Sequence, residues 1–135
     1  MALPQINVPT YELVVPSTDE KVKYRPFLVK EEKLLLIAME SGKNEDILRG
    51  VKDIVDACTF NKLKLGDMPM FDVEYIFLQI RSKAVGEVST LRVLCKDDGE
   101  TYAKVEVDLT KIEVQVDDAH TNKIELSDDM GVIMK

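Results

Sequence analysis

The spacing of apolar residues changes once along the chain. Up to about residue 85 the apolar positions recur at intervals of three and four, and from residue 86 they alternate with polar ones. The first pattern predicts helices over about residues 29–41, 45–58 and 71–84, and the second predicts antiparallel strands with one solvated face. Pro9 interrupts the region before the helices, which favours an arm or an edge strand there. The prediction is a single α+β domain: an extended N-terminal arm over residues 1–28, three N-terminal helices over 29–85, and a small antiparallel β-sheet over 86–135.

The first two predicted helices differ in how much of their surface is apolar. Residues 34–39 in the first helix are six consecutive apolar residues, which cover more than half of the circumference and predict a buried helix. The second helix has a single apolar stripe, which predicts one face on the core and one in water. The residues of this stripe are Ile47, Leu48, Val51, Ile54, Val55 and Cys58.

The third predicted helix carries apolar residues on two opposite faces. One face holds Phe71, Tyr75, Leu78 and Ser82, and the other holds Val73, Ile76, Phe77, Ile80 and Ala84. Such a helix needs two partners. The sheet or the N-terminal arm covers the second face in one interpretation, and another protein covers it in the other. The partner-binding residues predicted on this helix are Phe71, Tyr75, Leu78 and Arg81.

A basic stretch with two aromatic residues, 21–27, precedes the first helix. It is either a polar lead-in in which Phe27 packs onto that helix, or a contact with a partner. Tyrosine and arginine are enriched among the residues that dominate binding energy in interfaces. Tyr24, Arg25 and Phe27 are therefore further candidates for partner binding.

The predicted sheet contains one clear turn signal. An Asp-Gly pair, Asp98-Gly99, separates two runs of alternating residues and predicts a hairpin. The alternation continues through Ile112, Val114 and Val116, so we expect the second strand to extend that far.

The formal net charge of the chain is −7, and the charge is unevenly distributed. Residues 1–85 hold 12 Lys/Arg and 13 Asp/Glu, whereas residues 86–135 hold 6 and 12. This argues against nonspecific binding to nucleic acid or an anionic membrane, and it favours a basic protein partner, although solubility alone would also explain it. The longest apolar run is too short to cross a bilayer, and no secretory signal is recognisable, so we expect a soluble intracellular protein.

No group of residues has the spacing of a catalytic or metal site. The one histidine, His120, follows two aspartates in a predicted turn, and the acidic pairs at 97–98, 117–118 and 128–129 have the sequence context of turns. Cys58 and Cys95 are expected to be free and buried. The prediction is a protein without enzymatic activity, cofactor, metal or small-molecule substrate.

Three strings of sequence, residues 23–27, 30–38 and 71–83, resemble the baseplate hub subunit family of T-even-like contractile-tailed bacteriophages. The resemblance implies a viral tail protein, made in the host cytoplasm, with a non-enzymatic role in building the baseplate hub and with other tail or hub proteins as partners. Members of this family continue beyond Met134, so the chain is expected to be a fragment or a short form. Some members carry paired cysteines in the region matching 91–96, where this chain has only Cys95, and a zinc ribbon is therefore not expected.

Two other functions remain as alternatives at this point. One is a tail enzyme directed at the cell wall, which would need a carboxylate with a raised pKa in a substrate cleft. The other is a host-directed regulatory protein that binds a basic partner through the acidic sheet. Within the baseplate interpretation, the sequence does not distinguish a permanent virion component from an assembly chaperone.

Overall fold

The computed structural model describes residues 7–134, which form six strands and three helices. The elements in chain order are β1 (Tyr11–Val14), β2 (Lys21–Tyr24), α1 (Val29–Glu40), α2 (Asn44–Cys58), α3 (Met70–Val85), β3 (Val88–Leu94), β4 (Tyr102–Asp108), a 3₁₀ turn (Leu109–Lys111), β5 (Lys123–Ser127) and β6 (Met130–Ile133). The strands form three separate antiparallel hairpins, β1–β2, β3–β4 and β5–β6. The three helices lie within about two residues of their predicted bounds.

The predicted order of elements is wrong at the N-terminus, because a β-hairpin precedes the helices. In this hairpin Leu13 pairs with Val22, and the rings of Tyr11 and Tyr24 lie 5.7 Å apart between centroids. The segment that was expected to end an arm is the turn of the hairpin: the Asp19 backbone N–H donates to the Val15 carbonyl at 2.9 Å. What looked like an arm and a polar lead-in are therefore two paired strands.

The prediction of a single C-terminal sheet is also wrong. Residues 112–122 form no strand, and the two hairpins on either side of them pair only internally. Strand β4 ends where the Asp108 carboxylate accepts a hydrogen bond from the Thr110 backbone N–H at 3.0 Å, which begins the 3₁₀ turn. In that turn Leu109 is buried and lies against α3. A capped turn thus replaces the expected continuation of the strand through Ile112.

The hydrophobic core lies between the β1–β2 hairpin, α2 and α3. Val73, Ile76 and Ile80 are fully buried, so this stripe of α3 faces inward. The other buried core residues are Leu13, Val15, Val22, Tyr24, Ile54, Val55 and Cys58. Cys58 is a free cysteine, and burial raises the pKa of its thiol to about 11. Among the described residues, all of this core cluster comes from the part of the chain before β3.

The prediction that the first helix is buried is wrong. Of the α1 side chains only Glu31 is buried, and Leu34, Leu36, Ile37 and Met39 are each more than half exposed. Helix α1 contacts α2 and lies at the outside of the helical layer. The uncovered residues form a large part of the apolar surface described below.

Candidate protein-protein interface

The aromatic residues of the 21–27 stretch lie inward. Tyr24 is only 3% exposed, and burial raises the pKa of its phenol. The positive charge of Lys83 lowers this pKa, but by less than burial raises it. Phe27 is half-buried and packs against the core. Tyr24 therefore has almost no surface to offer a partner in this fold, and Phe27 has little.

Arg25 joins the β1–β2 hairpin to the start of α1. Its guanidinium donates to the Glu31 carboxylate at 3.0 Å, and the same carboxylate accepts from the Leu28 backbone N–H at 2.8 Å. Burial alone would raise the pKa of Glu31, but these two hydrogen bonds and the charges of Arg25 and Lys30 outweigh it, and the pKa lies below its usual value. A hydrogen-bonded ion pair thus fixes the N-terminus of α1.

The second face of α3 is partly covered by the chain itself. Ser82 is buried, and Tyr75, Leu78 and Arg81 are half-buried. Phe71, at the N-terminal end of the helix, is 45% exposed. Of the four residues predicted as contacts on α3, Phe71 therefore offers the most surface to a partner.

A buried carboxylate positions Phe71. Asp72 is fully buried, and it accepts hydrogen bonds from the backbone N–H of Ser17, at 3.2 Å, and from the Ser17 hydroxyl. Because Ser17 lies in the turn of the β1–β2 hairpin, this contact holds the turn against the start of α3. Phe71, the preceding residue, lines a cleft.

This cleft has a volume of about 1090 Å³ and separates the start of α3 from the C-terminal segments. Its apolar lining residues come from the hairpin turn, α3 and the region after the 3₁₀ turn: Pro16, Pro69, Phe71, Val114, Val116, Ile133 and Met134. Asp117 and His120 lie at its polar side. An apolar cleft of this size can receive hydrophobic side chains of another protein.

Further uncovered apolar surfaces lie outside the predicted contact residues. On the β3–β4 hairpin one face carries Leu91 and Val93 opposite Val105 and Ala103, and all four are exposed. The β5–β6 hairpin likewise exposes Ile124, Leu126 and Val132. The alternation in the sequence indicated these apolar faces but not that they remain open, because it was interpreted as one sheet packed on the core.

The potential metal ligands of residues 7–134 are not grouped. Within residues 7–134 no three side chains of His, Cys, Asp or Glu lie close enough together to hold a metal ion. His120 belongs to a turn in which its backbone N–H donates to the Asp117 carbonyl at 2.8 Å. No helix in this range has the length and the apolar character needed to cross a bilayer.

Comparison with known protein families identifies the family of this chain. The family model described as T4 bacteriophage base plate protein matches residues 8–135. The chain belongs to this family. The match includes every helix and strand of the structure, so this baseplate protein belongs to the family over its whole described fold. The resemblance to T-even-like phage proteins is thereby confirmed at the level of the baseplate. No curated protein and no solved structure matches the chain.

Proposed function

We propose that this baseplate protein is a non-enzymatic structural or assembly protein of the baseplate hub, and that it acts through contacts with other tail or hub proteins. It is made in the host cytoplasm and joins the tail as the baseplate forms. The observation that carries the proposal is the uncovered apolar face of the β3–β4 hairpin. Membership of the baseplate family supports the class of partner.

An isolated two-stranded hairpin is marginally stable in water, and an apolar face gives it stability only when something covers that face. In β3–β4 the strands are seven residues long, and the faces differ in chemistry. The middle of one face carries Thr90, Arg92, Lys104 and Glu106, with the apolar Val88, Leu94 and Tyr102 at its ends, whereas the other face carries Leu91, Val93, Ala103 and Val105. A hairpin of this kind would be stabilised if another protein of the assembly covered its apolar face.

Phe71 and the cleft around it supply a second contact surface, with Tyr75, Leu78 and Arg81 in a supporting role. Their partial burial supports this division, since an exposed aromatic ring can insert into a partner, whereas half-buried side chains mainly shape its surroundings. Tyr24, Arg25 and Phe27 contribute through the fold, by fixing the hairpin and the start of α1.

Co-expression with the tail and hub proteins of the same phage, followed by size-exclusion chromatography, tests the proposal. The informative variant is Leu91→Lys, and its matched control is Thr90→Lys. The two residues are neighbours on β3, and both are exposed, but they lie on opposite faces, and a lysine at 90 stands opposite Glu106. Leu91→Lys should lose co-elution with the tail protein while Thr90→Lys keeps it. Equal co-elution of both variants, or no tail protein bound to the wild type, would contradict the proposal.

Mass spectrometry of purified virions distinguishes the two forms of this role. A structural component is present in mature particles at a constant ratio to other baseplate proteins. An assembly chaperone is present in infected cells and in baseplate intermediates but is lost from mature particles.

A further inference from the structure

A groove between α1 and α2 is formed around two small residues. The helices come close together at Ala38 and Gly50, where a Cβ atom added to Gly50 would lie only 3.1 Å from the Ala38 Cβ. Because the contact is made by small residues, larger side chains on either side of it form walls. The resulting groove has a volume of about 260 Å³.

The α1 wall of the groove is apolar and uncovered. Leu34 and Ile37 are 55% and 57% exposed, although they lie on one side of the helix, three residues apart. Surface helices normally turn such a stripe toward a core. Here the core side of α1 is instead occupied by Leu35, Ala38 and the buried Glu31. The stripe therefore has the composition of a packed face, yet more than half of each side chain is exposed.

The α2 wall of the groove is polar and carries more negative than positive charge. Asp46, Arg49 and Asp53 lie along it at intervals of three and four residues, with the arginine between the two aspartates. None of the three forms an ion pair with another residue of the range 7–134. A complementary ligand would place cations near the two aspartates and apolar side chains against Leu34 and Ile37.

We propose that the α1–α2 groove binds an amphipathic helix of another baseplate or tail protein, whose apolar stripe packs on Leu34 and Ile37 and whose lysine or arginine residues pair with Asp46 and Asp53. The groove has one apolar and one acidic wall, which matches the two faces of such a helix. The α2 wall carries two aspartates against one arginine, and this local excess of negative charge further favours a basic ligand. The inference rests on the proposed protein-binding role in the baseplate.

A synthetic helical peptide of about 15 residues, long enough to form an isolated helix, tests the ligand chemistry. One peptide carries a leucine stripe flanked by lysine, and its matched control carries glutamate at the same flanking positions. Titration followed by NMR should show binding of the lysine peptide, with shifts confined to α1 and α2, and binding of the glutamate peptide weakened by about tenfold or more. Equal binding of both peptides, or no binding, would overturn the inference.

Variants of the full chain locate the site. Ile37→Glu should weaken binding of the lysine peptide by about tenfold or more, because it places a charge in the apolar wall. The control Val29→Glu, on the first turn of the same helix and 79% exposed, should bind as the wild type does. The double variant Asp46→Asn with Asp53→Asn should bind less tightly and lose most of the salt dependence. Thermal melting of each variant checks that the fold is retained.

Two further outcomes separate this inference from the proposed function. If Ile37→Glu still co-elutes with tail proteins as the wild type does, the groove is not their binding site, but the role in the baseplate stands. If sedimentation shows a wild-type dimer that Ile37→Glu abolishes, a second copy occupies the groove and the inference is wrong.

Discussion

At the scale of single residues, two buried carboxylates connect one element of the fold to another. Asp72 accepts two hydrogen bonds from Ser17, which is 55 positions earlier in the chain, and Glu31 accepts from both Arg25 and Leu28. The sequence gives no signal for the first contact, because a serine in a turn and an aspartate at a helix start each have a local explanation. Such pairings become visible only when the hairpin is folded onto α3.

Replacing Asp72 should destabilise the protein strongly. Asp72→Ala removes a buried charged acceptor of two hydrogen bonds and a negative charge in the first turn of α3, and we expect a loss of about 2–3 kcal/mol in the free energy of unfolding. The control Glu74→Ala removes an exposed carboxylate from the same helix and should change stability by no more than about 0.5 kcal/mol. Urea unfolding followed by circular dichroism measures both. A similar, small effect of the two substitutions would show that the Ser17 contact contributes little.

The Arg25–Glu31 pair should make stability depend on pH. Because the pKa of Glu31 is lowered in the folded state, its contribution is fully present above its usual value of 4.5 and is lost as the pH falls through the folded-state pKa. Glu31→Gln should therefore be less stable than the wild type at pH 7, and this difference should shrink below about pH 4.5. Measuring the difference between the two proteins removes the effect of other carboxylates. A difference that stays constant from pH 7 to pH 3 would contradict the lowered pKa.

At the scale of elements, periodicity was sufficient for the helices but not for their surroundings. The bounds of α1, α2 and α3 follow from apolar spacing and turn residues, which are local properties. The exposure of α1 does not follow from such local properties. The apolar run at residues 34–39 indicates that the helix would be stabilised by a covering surface, but not whether the same chain supplies it. Among the described residues α2 packs along this helix, with Ala38 close to Gly50, and Leu34, Leu36, Ile37 and Met39 stay more than half exposed.

The hairpins also show that a local sequence pattern identifies an element but not its neighbours in the fold. Alternation identified the strands β3 and β4 and the turn at Gly99, but pairing between distant strands depends on where the chain goes after each turn. The capped turn at Asp108 ends β4, and Leu109 is buried against α3, so the following segment forms no strand. After β4 the prediction had too much strand, whereas at the N-terminus it missed a pair of strands. The turn between β1 and β2 was interpreted there as the end of an arm.

Of the seven contact residues predicted from the sequence, only Phe71, on the helix with two apolar faces, is exposed. Phe71 was identified by its position on α3 and is exposed at the cleft. Tyr24 and Arg25 were selected for residue types that are common in interfaces, but the same types also stabilise cores and ion pairs, and that is where the fold places them. The exposed face of β3–β4 was missed because the expected single sheet would have covered it.

The two phenylalanines of α3 should separate folding from binding. Phe77 packs against the core, so Phe77→Ala should cost about 3–5 kcal/mol in the free energy of unfolding, enough to unfold a marginally stable protein. Phe71 is 45% exposed, so Phe71→Ala should shift the melting temperature little while weakening binding of a tail protein by about 2 kcal/mol. Thermal melts and pull-downs of the two variants measure both effects. Equal loss of stability in both variants would show that Phe71 belongs to the core.

At the scale of the whole molecule, the part of the chain that contributes least to the core is also the most acidic part. The buried core cluster comes entirely from residues before β3, whereas residues 86–135 hold twice as many acidic as basic residues and leave their apolar faces open. Repulsion among the acidic residues reduces self-association of these faces, and a basic partner would relieve it. The charge of this segment therefore opposes association with its own copies and favours a partner of opposite charge.

This distribution predicts unequal local stability within one molecule. In the free protein the backbone amides of β3–β4 and β5–β6 should exchange with solvent at least about tenfold faster than those of α3, because few buried contacts must break for the hairpins to open. Sedimentation at the same concentration serves as the control that the protein is monomeric. Adding the tail protein that co-elutes should slow exchange in β3–β4 and leave α3 nearly unchanged, since α3 is already protected by the core. Hairpin amides as well protected as α3 in the free monomer would show that these hairpins need no partner for their stability, and the main support for the proposed interface would be lost.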